Sequence, residues 1–187
     1  ARAVFSSQNA ALNEKFYNRL FEKSTTGSLP QRIGDAYYLA KGDYNSANSR
    51  KFHLFGDPTL RLNEPRMDAS IDSLNGIALN QEIQVKALSN VTLKGSILNF
   101  DGTTNNSFNG EAIISVFDSK RSVELPEVNH TMTENGGVIY RGRASVNNGR
   151  FETGFTVSKD ISYEKNRGKI VAYFQKNNTD GVGVSQN

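Results

Sequence analysis

The chain has 187 residues, room for one domain or for a small domain and part of a second. Only 36% are apolar and 22% charged, and 22 Lys and Arg against 19 Asp and Glu leave a net charge of +3 with no basic run, which sets nucleic-acid binding aside. The absence of cysteine removes disulfides, thiolate zinc sites and a cysteine nucleophile from these residues, and no apolar run approaches the ~18 residues of a membrane span.

Ala1-Arg2-Ala3-Val4-Phe5 reads as a strand, without an initiator Met or a signal peptide, so the natural chain is expected to begin earlier. Ser6 and Ser7 offer N-cap hydroxyls. Leu12, Phe16 and Leu20, with Tyr17 and Phe21 beside them, predict an amphipathic helix over residues 8–23. Pro30 suits the first turn of a second helix whose inner stripe is Ile33, Ala36, Tyr37 and Ala40, with Gly42 as its C-terminal stop. A polar loop over 43–50 leads to an expected strand at 52–55. Strand, helix, helix, strand is the grammar of an α/β layer.

Gly56-Asp57-Pro58 forces a corner, because Pro58 fixes its own φ and pushes Asp57 out of the helical region. Asp57 is read there as an Asx-type turn acceptor that braces the passage to the next domain, and its loss is expected to cost the ~1–3 kcal/mol of a buried acceptor.

Beyond Pro65 the helical period vanishes and turn pairs become dense: Asn75-Gly76, Asp101-Gly102, Asn109-Gly110, Asn135-Gly136 and Asn148-Gly149. Alternating apolar positions predict strands around Ile83, Val85 and Ala87; Val91, Leu93 and Ile97; Ala112, Ile114 and Val116; Val138 through Val146; Phe151, Phe155 and Val157; and Ile170, Ala172 and Phe174. About seven short strands in a hundred residues is the signature of a β-sandwich. The expected division is therefore 1–65 and 66–187, the second part cut in mid-strand near residues 180–184.

Arg50-Lys51-Phe52-His53-Leu54-Phe55-Gly56-Asp57-Pro58-Thr59-Leu60-Arg61-Leu62 resembles the segment that closes the peptidase domain of gingipain-type cysteine peptidases. These include the cell-surface sortase of the type IX secretion system. Arg2-Ala3-Val4-Phe5-Ser6-Ser7 and Gly34-Asp35-Ala36 continue the likeness upstream. Thr92-Leu93-Lys94-Gly95-Ser96-Ile97, Phe108-Asn109-Gly110 and Tyr140-Arg141-Gly142-Arg143-Ala144-Ser145-Val146 continue it downstream. The resemblance implies the α/β tail of a caspase-like peptidase domain followed by an all-β immunoglobulin-like sandwich. It implies a parent enzyme whose thiolate attacks the scissile carbonyl while a His moves protons, both lying upstream of Ala1. It further implies removal of C-terminal sorting domains from secreted cargo, anchoring of that cargo at the cell surface, and an outer-membrane β-barrel partner on the exterior of a Bacteroidetes-type cell. No cofactor is implied for these residues; the resemblance leaves room for a structural calcium in the parent protein.

No residue of this chain is assigned to catalysis, to a cofactor or to a metal. His53 reads as a strand histidine and His130 as a solvated residue of a polar loop over 127–135, with no G-x-S-x-G elbow to supply a nucleophile. Asp101 and Asp118 lack the spacing of a calcium loop, and Arg141 and Arg143 share one strand face, expected to be solvated. The Asn-X-Ser/Thr triplets at Asn90, Asn105, Asn129 and Asn177 are what chance gives in so Asn-rich a chain. The rival reading is a free-standing adhesive or carbohydrate-binding β-sandwich. Its polar strand faces support it, while the lack of Trp and the two amphipathic helices, which need something to cover them, count against it.

Overall fold

A computed structural model describes residues 5–22, 29–162, 166–177 and 179–186. The chain divides into two compact units, Ala1–Arg66 and Met67–Asn187.

The first unit is built on two helices, α1 (Ser6–Leu20) and α2 (Ile33–Asp43), followed by a 3-10 turn at Ser49–Lys51. On α1 the buried residues are Leu12 and Leu20, and on α2 Ala36 and Ala40, whose small side chains admit a close neighbour. Phe16 meets Tyr37 edge to face at 6.3 Å. The outer ends of the helices are tied by the Arg19 guanidinium, which donates from Nε and Nη2 to the two Asp43 carboxylate oxygens at 2.8 and 3.2 Å. That pair holds the exposed Asp43 carboxyl below the usual carboxylate range.

Several local expectations shift. Helix α1 starts at Ser6, so the capping position falls on Phe5, which has no side-chain cap. The buried Asn48 does that work instead. Its Oδ1 accepts the Phe5 N–H at 3.3 Å, and its Nδ2 donates to Asn9 Oδ1 at 2.9 Å. Helix α2 starts at Ile33 rather than near Pro30, since Arg32 is extended and forms an isolated antiparallel bridge with Arg61. Residues 52–55 join no strand ladder. The carbonyl a neighbouring strand would use is taken by α2: Phe52 O accepts from Tyr37 Oη at 2.5 Å and from Lys41 Nζ at 3.1 Å. The expected opening strand lies, apart from Phe5, outside the described residues.

The second unit is all β. Its strands are β1 (Met67–Leu74), β2 (Ile77–Ala78), β3 (Asn90–Leu98), β4 (Gly110–Phe117), β5 (Arg121–Leu125), β6 (His130–Glu134), β7 (Val138–Asn147), β8 (Arg150–Thr156), β9 (Lys169–Lys176) and β10 (Thr179–Gln186). Eight of them form one sheet in the order β10-β9-β4-β7-β8-β3-β1-β2, and β10 also pairs with β1, closing the ring into a barrel. Strands β5 and β6 form a separate hairpin. The expected pair of distinct sheets is thus replaced by one continuous ladder. The ring is nonetheless uneven. Strand β4 pairs along its length with β7 and β9, and β3 pairs along most of its length with β8. By contrast β7 meets β8 only at Val146–Phe151 and Asn147–Arg150, and β1 meets β10, in parallel, only at Met67–Gly181 and Asp68–Val182.

Inward alternation fills the barrel with Leu93, Ile97, Ile114, Val146, Phe151 and Phe174, all nearly or fully buried. Two hairpins use the expected turns. Asn75-Gly76 (φ 50° and 79°) joins β1 to β2, and Asn148-Gly149 (φ 49° and 72°) joins β7 to β8, the left-handed pair that matches strand twist. A bulge interrupts β1 at Asp72, whose carboxylate accepts the Ser70 hydroxyl and, at 2.6 Å, that of the buried Ser96. The alternation at Ile83, Val85 and Ala87 is real in burial but unladdered. Ile83 and Val85 are half-buried against the core while their backbone pairs with no strand.

Candidate functional site

The segment through Asp57 forms a corner that caps a helix with its backbone. Helix N-termini leave unpaired N–H groups, and Arg32 offers α2 no side-chain cap. The carbonyls of the corner supply the acceptors: Leu60 O accepts the Ile33 N–H and Pro58 O accepts the Gly34 N–H, both at 2.9 Å. The Arg61 guanidinium donates to Pro30 O, holding the approach to the helix against the same segment. Gly34 is required by this contact. A Cβ there would lie 2.6 Å from Pro58 Cβ and 2.8 Å from Pro58 O.

Asp57 acts within the corner. Its Oδ1 accepts the Thr59 N–H at 2.8 Å and the Thr59 hydroxyl at 2.7 Å, the Asx turn its context predicts. Its carboxylate is exposed, however, so the penalty of an orphaned buried acceptor does not apply and the expected loss on removal shrinks to a small one. The bracing that carries the corner comes from the Pro58 and Leu60 carbonyls and runs to α2 of the same unit. Sequence reading missed this. The available signal was Gly34, a helix-weakening residue one position into the helix with no turn to explain it.

The remaining candidates are dispersed. His53 is exposed on the unladdered segment, and His130 is exposed at the start of β6, opposite Leu125. The polar loop expected over 127–135 is largely that strand, with a 3-10 turn at Pro126–Val128. Asp101 repeats the Asp57 arrangement, its Oδ1 accepting the N–H and hydroxyl of Thr103 at 2.9 and 2.6 Å. Asp118 ties the end of β4 to a later loop, accepting the N–H groups of Ser119 at 2.7 Å and Ser162 at 2.6 Å. Among the described residues no three His, Cys, Asp or Glu side chains are grouped together, and Asp101 and Asp118 each serve a turn or loop of their own. Arg141 and Arg143 do share the outer face of β7, and Arg143 pairs with Glu111 at 3.0 Å across the ladder. Asn105 and Asn90 accept side-chain hydrogen bonds from Ser107 and Thr156, while Asn129 and Asn177 occupy left-handed turn positions.

The two Asp-X-Thr turns make a prediction. The threonine hydroxyl first, and its N–H second, hold the carboxyls of Asp57 and Asp101 below the usual carboxylate range. A depressed carboxyl stabilises the fold above its unfolded pKa and loses that contribution as pH falls through its folded value. Thr59→Val should therefore raise the Asp57 pKa toward the ordinary range and leave Asp101 unmoved, and Thr103→Val should do the reverse. Side-chain carboxyl NMR titration reads both. Equal values in variant and parent would show that the hydroxyls contribute nothing.

Comparison with known proteins places these observations. Residues 1–63 match the family model of peptidase family C25. Among solved structures the chain is similar to dimeric latent PorU from Porphyromonas gingivalis, at 29% identity and a TM-score of 0.61 over 90% of this chain. It spans 17% of that PorU chain. A second structure, the sporulation control protein Spo0M from Bacillus subtilis, is 12% identical over 63% of this chain and 47% of that one, with a TM-score of 0.37, too low to carry an argument. No curated protein matches the chain. The resemblance to gingipain-type cysteine peptidases is thereby shown, on the first unit by the family model and across both units by the PorU likeness.

Proposed function

We propose that this chain is the closing part of a gingipain-type peptidase domain joined to an immunoglobulin-like β domain, within a sorting peptidase of the type IX secretion system. The observation that carries the reading is where the matches fall. The family match covers residues 1–63 and so takes in the corner, and the PorU likeness extends over 90% of the chain. An immunoglobulin-like assignment fits the uneven ring. Two thin seams separate a face of β1, β3 and β8 from a face of β7, β4, β9 and β10, and inward side chains of both meet in one core.

In this reading the chain supplies support, not chemistry. A cysteine peptidase needs a thiolate and a proton-handling His held together, and this sequence has no cysteine. Those groups belong to preceding residues of the parent protein. The substrates are secreted cargo proteins with C-terminal sorting domains, the partner an outer-membrane β-barrel of the secretion system, and the location the cell surface.

The test is activity with and without the preceding coding region. The 187 residues alone should cleave no fluorogenic peptide in an iodoacetamide-sensitive way, whereas the longer product should. Thiol-dependent cleavage by the short chain would overturn the division of labour. A signal peptide encoded immediately before Ala1 would instead favour the free-standing adhesive or carbohydrate-binding module.

A further inference from the structure

The second unit holds a pocket of about 490 Å³ at the base of the β5–β6 hairpin, where the end of β4 and the start of β9 come together. Its lining carries four cationic residues: Lys120, Arg121, Arg167 and Lys169. Arg121 is committed to Glu134, donating from Nε and Nη2 at 3.0 and 2.7 Å. Among the described residues no carboxylate pairs with Lys120, Arg167 or Lys169. The one acid on the lining, Asp118, already accepts two backbone N–H groups.

With Arg121 offset by Glu134, the three remaining cations outnumber the single Asp118 carboxylate, so the concavity keeps a net positive charge and raises the local concentration of anions. Asn135, Ser122 and Thr133 line the same walls, whereas the Asn166 amide is already committed, donating to Lys120 O at 3.3 Å. The volume falls in the range of small-molecule sites, ~300–1,000 Å³, and exceeds what one bare phosphate fills. An Arg fork beside ammonium groups suits a multiply charged, oxygen-rich anion, and the Asn135 amide and the Ser122 and Thr133 hydroxyls suit the hydroxyl groups of its carrier.

We propose that this pocket binds a phosphate-bearing, polyhydroxylated small molecule of the sugar-phosphate class. The proposal is independent of the peptidase assignment. Lys120, Arg167 and Lys169 hold the phosphate, and Asn135, Ser122 and Thr133 face the hydroxyls.

The full 187-residue chain would be titrated with inorganic phosphate, glucose 6-phosphate and glucose, followed by amide NMR shifts and calorimetry. Glucose 6-phosphate should move amides in 117–122, 133–136 and 166–169, inorganic phosphate the same amides more weakly, and glucose none. Arg167→Gln with Lys169→Gln should weaken glucose 6-phosphate binding by about tenfold or more, the loss expected of two charge-assisted contacts. Lys120→Gln alone should weaken it by less. Arg150→Gln, on an exposed position of β8 outside the pocket, should change nothing, and thermal melts should show every variant folded. Shifts scattered over the surface, or an equal loss in Arg150→Gln, would mean an adventitious anion only. The absence of any response to either phosphate compound at millimolar concentration would overturn the site.

Discussion

Phe174→Ala should destabilise the β unit by about 3–5 kcal/mol, the usual cost of emptying a fully packed aromatic site. Phe174 is 1% exposed on β9, between β4 and β10. Its ring meets Phe108 edge to face at 5.1 Å, and the Lys176 ammonium lies 5.6 Å from the centre of the Phe108 ring. Phe108 in turn anchors the tip of the β7–β8 hairpin, since its carbonyl accepts the Gly149 N–H at 2.8 Å. Truncation at Phe174 therefore leaves a cavity and loosens the loop that holds a hairpin. Against a domain stability of ~5–15 kcal/mol such a loss is large enough to see as early unfolding in urea. Phe155→Ala, at a half-buried ring stacked on Tyr140 at 4.5 Å, should cost clearly less. A Phe174 variant within about 1 kcal/mol of the parent would mean that the core relaxes to fill the space.

Which features the sequence announced follows from how local their causes are. The strands β3, β4, β7, β8 and β9 lie where apolar alternation predicts them, because burial of one face leaves a period of two in the residues themselves. The Asn-Gly turns at 75–76 and 148–149 were legible for the same reason: a left-handed backbone requires those residues. Strand β1 went unread although Met67, Ala69 and Ile71 alternate, since Asp72 and its bulge break the pattern before the turn. The hairpin β5–β6 went unread because its side chains are mostly exposed: β5 alternates only through Val123 and Leu125, too short a run to stand out, and β6 is exposed at every position but Glu134. Closure of the ring was beyond reach. It rests on two residue pairs between β1 and β10, at opposite ends of the second unit's sequence.

The pocket illustrates the same limit from the side of function. Lys120 and Arg121 are separated from Arg167 and Lys169 by more than forty residues, and nothing in the local sequence marks them as neighbours. What joins them is the pairing of β4 with β9, which brings Phe117 opposite Lys169. The corner at Asp57 was legible as a turn, because Gly56-Asp57-Pro58 encodes it, but not as a cap, because its acceptors are backbone carbonyls that every residue possesses.

Gly34→Ala and Gly42→Ala should move stability in opposite directions, although both replace a glycine of the same helix. An alanine in a helix is ordinarily favoured over glycine by about 1 kcal/mol, through the entropy of the unfolded chain. Gly42 meets that condition. It is exposed on α2, and a Cβ added there has nothing within 4 Å, so Gly42→Ala should stabilise by about that amount. At Gly34 the added methyl falls within 2.6 Å of Pro58 Cβ and 2.8 Å of the oxygen that accepts the Gly34 N–H. Neither atom belongs to a flexible side chain, so the corner itself must move away from the helix. Overpacking of this kind costs about 1–3 kcal/mol, enough to reverse the sign of the helix preference. The displacement should also free the two N–H groups the corner satisfies. Amide hydrogen exchange at Ile33 and residue 34 should then accelerate in Gly34→Ala and stay at the parent's rate in Gly42→Ala, with Thr59→Val as a control that disturbs the Asx turn but not the cap. If Gly34→Ala stabilises the chain as Gly42→Ala does, and leaves the Ile33 amide protected, the corner does not cap the helix.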